Sequence, residues 1–426
     1  MTYPDSVRFL YSLGNETKVI KLGLERIRLL LGGLGDPQAK FDSIHVAGTN
    51  GKGSTAAMIE AGLRAAGRRT GLYTSPHLNE PTERVQIAGS PVSEDLFAQA
   101  FHAVHEEALR MIDEGIIDGH PTYFESVTAM AFLLFRDQNV ETAVVEVGLG
   151  GRLDATNVIV PKLCVITPVD YDHEQYLGSS LTAIASEKAG ILKPGVPVLA
   201  ARQHPEAMDA IAARAAVVGA PVLSTIDWRV DDVRMDARGS SYTAWRGDDS
   251  MNVVCQLAGE HQIENSLAAA LALRELGLGP GSWGPEGIGR AKWPGRLERV
   301  SERPEIILDG AHNPAGIRAL AAYVERFYAG RRVWLIYGAV RDKSLAEIAE
   351  VLSGVVTDVV LVPIDSPRAV RPEALRPLFT HARVSESNRL EDTLSMVRRA
   401  AAGDDVVFVT GSLYLVGEAR RILVGS

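Results

Sequence analysis

The chain has 426 residues, 46% of them apolar and 23% charged, with a formal net charge of −9. That length exceeds a single core and implies two domains; the composition excludes a disordered chain, and the acidic balance argues against a nucleic-acid sheath. An acidic protein that handles anions must concentrate positive charge locally, so isolated Lys and Arg residues beside glycine turns draw attention.

The N-terminal segment has no basic stretch followed by an apolar run. The apolar stretch at 127–135 is too short to span a bilayer. Cys164 and Cys255 match no metal or redox spacing and read as buried thiols of a reducing compartment. A cytoplasmic protein is expected, with small-molecule partners and neither nucleic acid nor membrane.

In chain order, residues 22–31 (LGLERIRLLL) read as an amphipathic packing helix. A strand at 44–47 then runs into Gly48-Thr49-Asn50-Gly51-Lys52-Gly53-Ser54 and a helical stretch at 55–67. This is the layout of a polyphosphate cradle. Glycines free backbone N–H groups to face phosphates, the helix N-terminus adds positive partial charge, Lys52 adds a point charge, and Ser54 offers a hydroxyl to magnesium. Its spacing departs from the common phosphate loop, because Gly53 stands between the lysine and the hydroxyl residue.

Further strands are expected at 142–147, 163–167 and 196–200, with helices at 94–114, 124–137 and 181–192. Such alternation argues a doubly wound, mostly parallel sheet, whose ligands gather beyond the carboxyl ends of the strands. Residues 225–256 change to short alternating segments and read as an antiparallel meander. A helix at 261–276 and a Gly/Pro-rich boundary at 277–295 follow. A second alternating set has strands at 305–308, 333–337, 358–362 and 405–409, and helices at 315–328, 344–352, 373–379 and 390–401. The expected fold is α/β: an N-terminal phosphate-loop ATPase domain (1–295) and a smaller Rossmann-like C-terminal domain (296–426).

Several strand ends carry candidate chemistry. Glu146 closes an apolar strand ahead of Gly148-Leu149-Gly150-Gly151-Arg152; a carboxylate there ligates a cation such as magnesium or pairs with Arg152. A dinucleotide fingerprint fails, because Leu153 stands where the third glycine belongs. His173 is a metal ligand or a turn residue, and Ser75 a hydroxyl ligand or part of a Ser-Pro turn. Lys188 alone reads as a solvated helix face. Asn313 with Pro314 reads as a helix cap, leaving Asp309 and His312 to be explained, and Arg296 is placed to reach a phosphate.

Taken together, GTNGKGS (48–54), YTSPHL (73–78), TYFES (122–126), EVGLGGRLDATN (146–157), DH (172–173), SEKAGILK (186–193), HQIEN (261–265), PGR (294–296) and LDGAHNP (308–314) resemble one family. It is the bifunctional dihydrofolate synthase/folylpolyglutamate synthase family of the Mur ligase superfamily. The resemblance implies an ATP-dependent ligase that joins L-glutamate to dihydropteroate and to (tetrahydro)folate or folylpolyglutamate through an acyl phosphate. It further implies ATP contacts from Asn50, Gly51, Lys52, Gly53, Ser54, Asn265, Arg296 and Asp309, with ATP between the domains. Two Mg2+ ions would rest on Ser54, Ser75, Glu146, His173 and a carbamylated Lys188.

The resemblance also places the pterin against Leu24, Glu25 and Arg26, against Thr122, Tyr123, Phe124 and Glu125, and against Arg152, Leu153 and Asp154. Lys52, Lys188 and His312 would serve catalysis, His312 near the glutamate site, with Asp342 and Lys343 facing the cleft. A monomer suffices for such a site. The alternatives are a folylpolyglutamate synthase alone, another Mur-type ligase, and a binding protein that uses ATP only as a switch. A dinucleotide-dependent oxidoreductase is disfavoured by Lys52 and the broken glycine fingerprint.

Overall fold

Residues Asp42–Ala47 form β1, a strand buried along all but its first residue, as a mostly apolar run at the middle of a parallel sheet requires. The structure, a computed structural model, describes residues 1–14, 23–284, 286–341 and 344–425. β1 is joined by β2 (Thr70–Tyr73), β3 (Val85–Ile87), β4 (Ser90–Pro91), β5 (Thr142–Glu146), β6 (Leu163–Ile166), β7 (Val198–Ala200) and β8 (Val222–Ser224). Their order across the sheet is β4-β3-β2-β5-β1-β6-β7-β8. From β2 to β8 all pairings are parallel, whereas β3 and β4 add an antiparallel edge.

Helices cover this sheet. α1 (Tyr3–Ser12), α2 (Glu25–Gly33), α4 (Glu94–Asp113) and α5 (Tyr123–Asp137) share an apolar cluster built around Leu10, Ile27, Phe101 and Phe132. Between α2 and α4 in the chain lies α3 (Lys52–Ala65), whose small residues are almost all buried. The Thr122-x-x-Glu125 signature that opens α5 forms a reciprocal capping box. A second cluster, including Ile166, Ile184 and Ile211, gathers the short α6 (Glu174–Leu177), α7 (Leu181–Ala189) and α8 (Pro205–Val218).

The expected meander is a three-stranded sheet of β9 (Arg229–Asp236), β10 (Gly239–Arg246) and β11 (Asp249–Cys255), followed by α9 (His261–Glu275). A six-stranded sheet comes next, in the order β12-β13-β17-β14-β15-β16. Its strands are β12 (Glu298–Glu302), β13 (Glu305–Leu308), β14 (Val333–Tyr337), β15 (Asp358–Leu361), β16 (Arg383–Glu386) and β17 (Val406–Thr410). All pairings are parallel except that of edge strand β12. The helix expected at 373–379 is a short α-turn, Pro372–Leu375, followed by a 3-10 turn, because Pro377 cannot donate the next helical bond.

By internal contacts the chain divides into two units. The first holds Met1–Asp232, Tyr242–Val254 and Glu264–Ala291; the second holds Val233–Ser241, Cys255–Ile263 and Lys292–Ser426. Both cysteines are buried and free. No helix among the described residues is long and apolar enough to cross a membrane.

Candidate active site

In the first unit, four neighbouring strands, β2, β5, β1 and β6, carry the candidate residues at their carboxyl ends. β1 runs into Gly48, β2 into Thr74-Ser75, and β5 ends on Glu146, whose ladder partner on β1 is Val46. β6 leads through Pro168 to His173. Residues from 48 to 173 are thereby gathered at one end of one sheet.

The phosphate loop needs glycine at two places. Gly48 (φ 146°) and Gly51 (φ 83°) are left-handed, and a Cβ would stand 1.9 Å from Thr167 Oγ1 at the first and 2.3 Å from Asn265 Oδ1 at the second. Gly51 caps α3, so the helix starts at Lys52 rather than at 55, and the amides of Lys52, Gly53 and Ser54 lie in its first turn. Lys52 Nζ donates to Thr49 O at 3.1 Å. Ser54 is buried, and Asn265, also buried, lies on α9 against Gly51.

Glu146 is only 4% exposed, and its Oε2 accepts from Ser75 N at 3.2 Å, which joins the ends of β5 and β2. Arg152, considered above as its partner, donates to Glu187 at 2.9 Å. His173 has φ 53° and immediately precedes α6, with its side chain 44% exposed and Nε2 3.9 Å from the Asp172 carboxylate. Lys188 is not on a solvated face. It is buried on α7, and Nζ donates to Gly48 O at 2.8 Å. Burial first, then the charge of Lys52, bring its pKa from 10.5 down to about 7, with Asp172 opposing.

The three segments named for the pterin also meet. Arg26, at the start of α2, donates to Glu125 Oε2 through Nη2 (2.7 Å) and Nε (3.0 Å). Phe124 lies against Gly148, where a Cβ would stand 2.4 Å from the ring. Asp154 is buried, and its Oδ2 accepts from Leu149 N at 2.9 Å, which folds the loop back on itself. Burial raises its pKa to about 6 against the hydrogen bonds that stabilise the charge. Glu125 and Asp154 therefore both brace protein, while the half-buried Phe124 packs on the apolar cluster of the first unit, Leu153 is half-buried, and the exposed Arg152 is paired with Glu187.

In the second unit, Asp309 follows β13 and accepts from Leu297 N (2.9 Å) and Ala311 N (3.0 Å). Burial raises its pKa, and the nearby Arg296 opposes that shift. His312 Nδ1–H donates to Gly310 O at 2.8 Å. Asn313 caps the helix Pro314–Tyr328 through Gly316 N, as its position before a proline predicts. Asp342 and Lys343 lie outside the described residues.

Sequence reasoning missed His45 and Thr156, which hydrogen-bond behind the Gly148–Asp154 loop. The only signal was an imidazole set in the otherwise apolar run before the phosphate loop.

With this geometry in place, known proteins supply the context. Residues 46–273 match the Mur ligase middle domain, and residues 295–413 match the Mur ligase glutamate ligase domain. The dihydrofolate synthase/folylpolyglutamate synthase of Bacillus subtilis is 34% identical over 95% of both chains. Among solved structures, Mycobacterium tuberculosis folylpolyglutamate synthase complexed with ADP superposes with a TM-score of 0.92, at 34% identity and 99% coverage of both chains. FolC of E. coli, in complex with DHPP and ADP, gives 0.88 at 31% identity, covering 98% of this chain and 97% of its own. The fold and the two matched domains define an ATP-dependent ligase of the Mur class. Within that class, the chain belongs to the dihydrofolate synthase/folylpolyglutamate synthase family.

Proposed function

We propose that this protein joins L-glutamate to dihydropteroate and to (tetrahydro)folate or folylpolyglutamate. The acceptor carboxylate attacks the γ-phosphorus of ATP, ADP leaves, and the glutamate amine displaces phosphate from the acyl phosphate. The observation that carries the reading is the convergence of the phosphate loop, Ser75, Glu146 and Lys188 at the carboxyl ends of adjacent strands, in a chain similar over its whole length to ligases of this kind.

In this reading Asn50, Gly51, Lys52, Gly53 and Ser54 hold the ATP phosphates, and Asn265, Arg296 and Asp309 complete the nucleotide contacts. Backbone amides and Lys52 stabilise charge on the transferring phosphoryl, a reaction in which positioning does most of the work. Magnesium, when bound, neutralises part of that charge. Hydroxyls of Ser54 and Ser75 and the buried Glu146 carboxylate suit a hard cation, with His173 as a further ligand. Among the described residues no group of three or more His, Cys, Asp or Glu side chains gathers to hold a metal, and magnesium is ordinarily completed by waters and substrate phosphates beside one or two carboxylates.

A charged Lys188 would oppose a cation at this place. Its low pKa supports the carbamylated form: the neutral amine attacks carbon dioxide, an N–C bond forms, and a proton leaves to give an anionic carbamate. Phe124 gives the pterin a ring face, Arg152 and Leu153 border it, and Leu24, Glu25, Arg26, Thr122, Tyr123, Glu125 and Asp154 shape the seat behind. His312 serves the incoming glutamate.

The test is ADP release from purified protein, assayed with dihydropteroate and with tetrahydrofolate, each with and without L-glutamate. Glutamate-dependent turnover with both acceptors is expected. Turnover with tetrahydrofolate alone would reduce the assignment to a folylpolyglutamate synthase, and ATP binding without any glutamate-dependent turnover would overturn it.

A further inference from the structure

His45 lies in the middle of β1 with no exposed surface, three residues before the phosphate loop begins. Its Nε2 is 2.8 Å from Thr156 Oγ1, and its Nδ1 is buried without a hydrogen-bond partner. Thr156, equally buried, donates its hydroxyl to Asp154 Oδ1, which also accepts from Thr156 N at 3.0 Å. Asp154 Oδ2 in turn holds Leu149 N. Three buried side chains thus form a line from the central strand to the loop that follows β5.

The direction of that line is fixed by chemistry. An ionised carboxylate only accepts, so the Thr156 hydroxyl must donate to it. The Thr156 oxygen is then left to accept, and His45 must present Nε2–H. Charging the ring would add an Nδ1–H with nothing to receive it in the core, and burial, with Lys193 adding to it, accordingly brings the His45 pKa down to about 3. Asp154 is the reverse case: its charge is costly where it sits, and the hydrogen bonds delivered by Thr156 and Leu149 offset that cost.

We infer that His45 is a positioning residue for acceptor recognition: as the neutral Nε2–H tautomer it acts through Thr156 to hold Asp154 as the brace of the Gly148–Asp154 loop. This rests on the reading that the loop and Phe124 seat the pterin. Purely structural support from His45 would act differently, because β1 continues into Gly48 and a distorted strand would disturb ATP binding as well.

The experiment compares Thr156→Val, His45→Phe and His45→Gln with Phe124→Ala, measuring KM for dihydropteroate and for ATP, kcat, and the thermal midpoint. Thr156→Val and His45→Phe are expected to raise KM for dihydropteroate about tenfold, the scale of one lost hydrogen bond, with KM for ATP and kcat within about twofold. His45→Gln, whose amide can donate to Thr156, is expected to restore most of that loss. An unchanged KM for dihydropteroate in Thr156→Val, or a parallel rise in KM for ATP, would overturn the inference while Phe124→Ala still shows a raised KM. If Phe124→Ala is itself silent, the pterin seat is misplaced and the role of His45 toward the acceptor falls with it. Should His45→Phe not fold, nitrogen-15 NMR of the wild-type imidazole decides: Nε2–H is expected, and Nδ1–H would refute the relay.

Discussion

Lys188 in the first unit and Asp358 in the second are both buried ionisable side chains in parallel-sheet domains, yet their surroundings are opposite. Asp358 begins β15 and is held by Arg332 (2.8 and 3.0 Å), by Arg383 (2.9 Å to each oxygen) and by Thr357. Burial alone would raise its pKa, but those bonds hold the carboxyl far below the ordinary range. Lys188 donates to a carbonyl; burial first, and then the like charge of Lys52, drive its amine toward neutrality against the pull of Asp172. Opposite partners keep a buried group charged, whereas burial beside a like charge favours its neutral form. The two ends of the respective sheets divide in the same way, since Asp358 sits where β15 starts and Lys188 reaches the loop where β1 finishes.

The contrast can be broken most sharply at Lys52. Lys52→Ala should lower kcat/KM on the order of 10³-fold while circular dichroism and the thermal midpoint stay near wild type, as expected for a group that stabilises developing charge rather than the fold. Normal turnover in that variant would remove the phosphate-loop assignment. Lys188→Ala should lose roughly 10²-fold in activity and regain part of it with added acetate or another short carboxylate that stands in for the carbamate. Activity near the wild-type level without any additive would contradict the metal role proposed for it.

Asp358→Ala should behave the other way round. It should cost about 2 kcal/mol of stability, read by denaturant unfolding, and leave KM for ATP unchanged. The smallest effect is a pH dependence with a definite sign. Because the folded state holds Asp358 below its unfolded pKa, its contribution is fully present above about pH 4 and is lost as pH falls below that value. The wild type should therefore lose stability faster than Asp358→Asn on acidification. Equal slopes would mean that the arginines contribute nothing through this carboxylate.

Much of this was legible in the amino-acid order because short, mostly apolar runs such as IHVA and TAVVE, alternating with helical stretches, point to buried parallel strands, and GTNGKGS has a backbone reason for glycine at 48 and 51. Lys188 was not, since SEKAG has the composition of a solvated helix and only the fold shows that Gly48 O receives its ammonium. Arg26 with Glu125 was read as two separate ligand contacts, whereas 99 positions of separation hid a bidentate pair. Strand β3 and the edge strands β4, β12 and β16 went unseen because they are short and largely half or fully exposed, with too few alternations to register. Segments 233–241 and 255–263 joining the second unit reflect long-range contacts that no local pattern encodes.

Gly151 and Gly190 let two stretches of main chain abut. A Cβ on the first would stand 2.9 Å from the carbonyl oxygens of Glu187 and Lys188, and one on the second 2.6 Å from Arg152 Cα. Asn157 rivets the same seam by donating to the carbonyls of Arg152 and Gly190. Reshaping this loop would therefore displace the backbone that carries Lys188. Protein engineers who want altered selectivity should vary the tip at Leu153 and leave both glycines untouched.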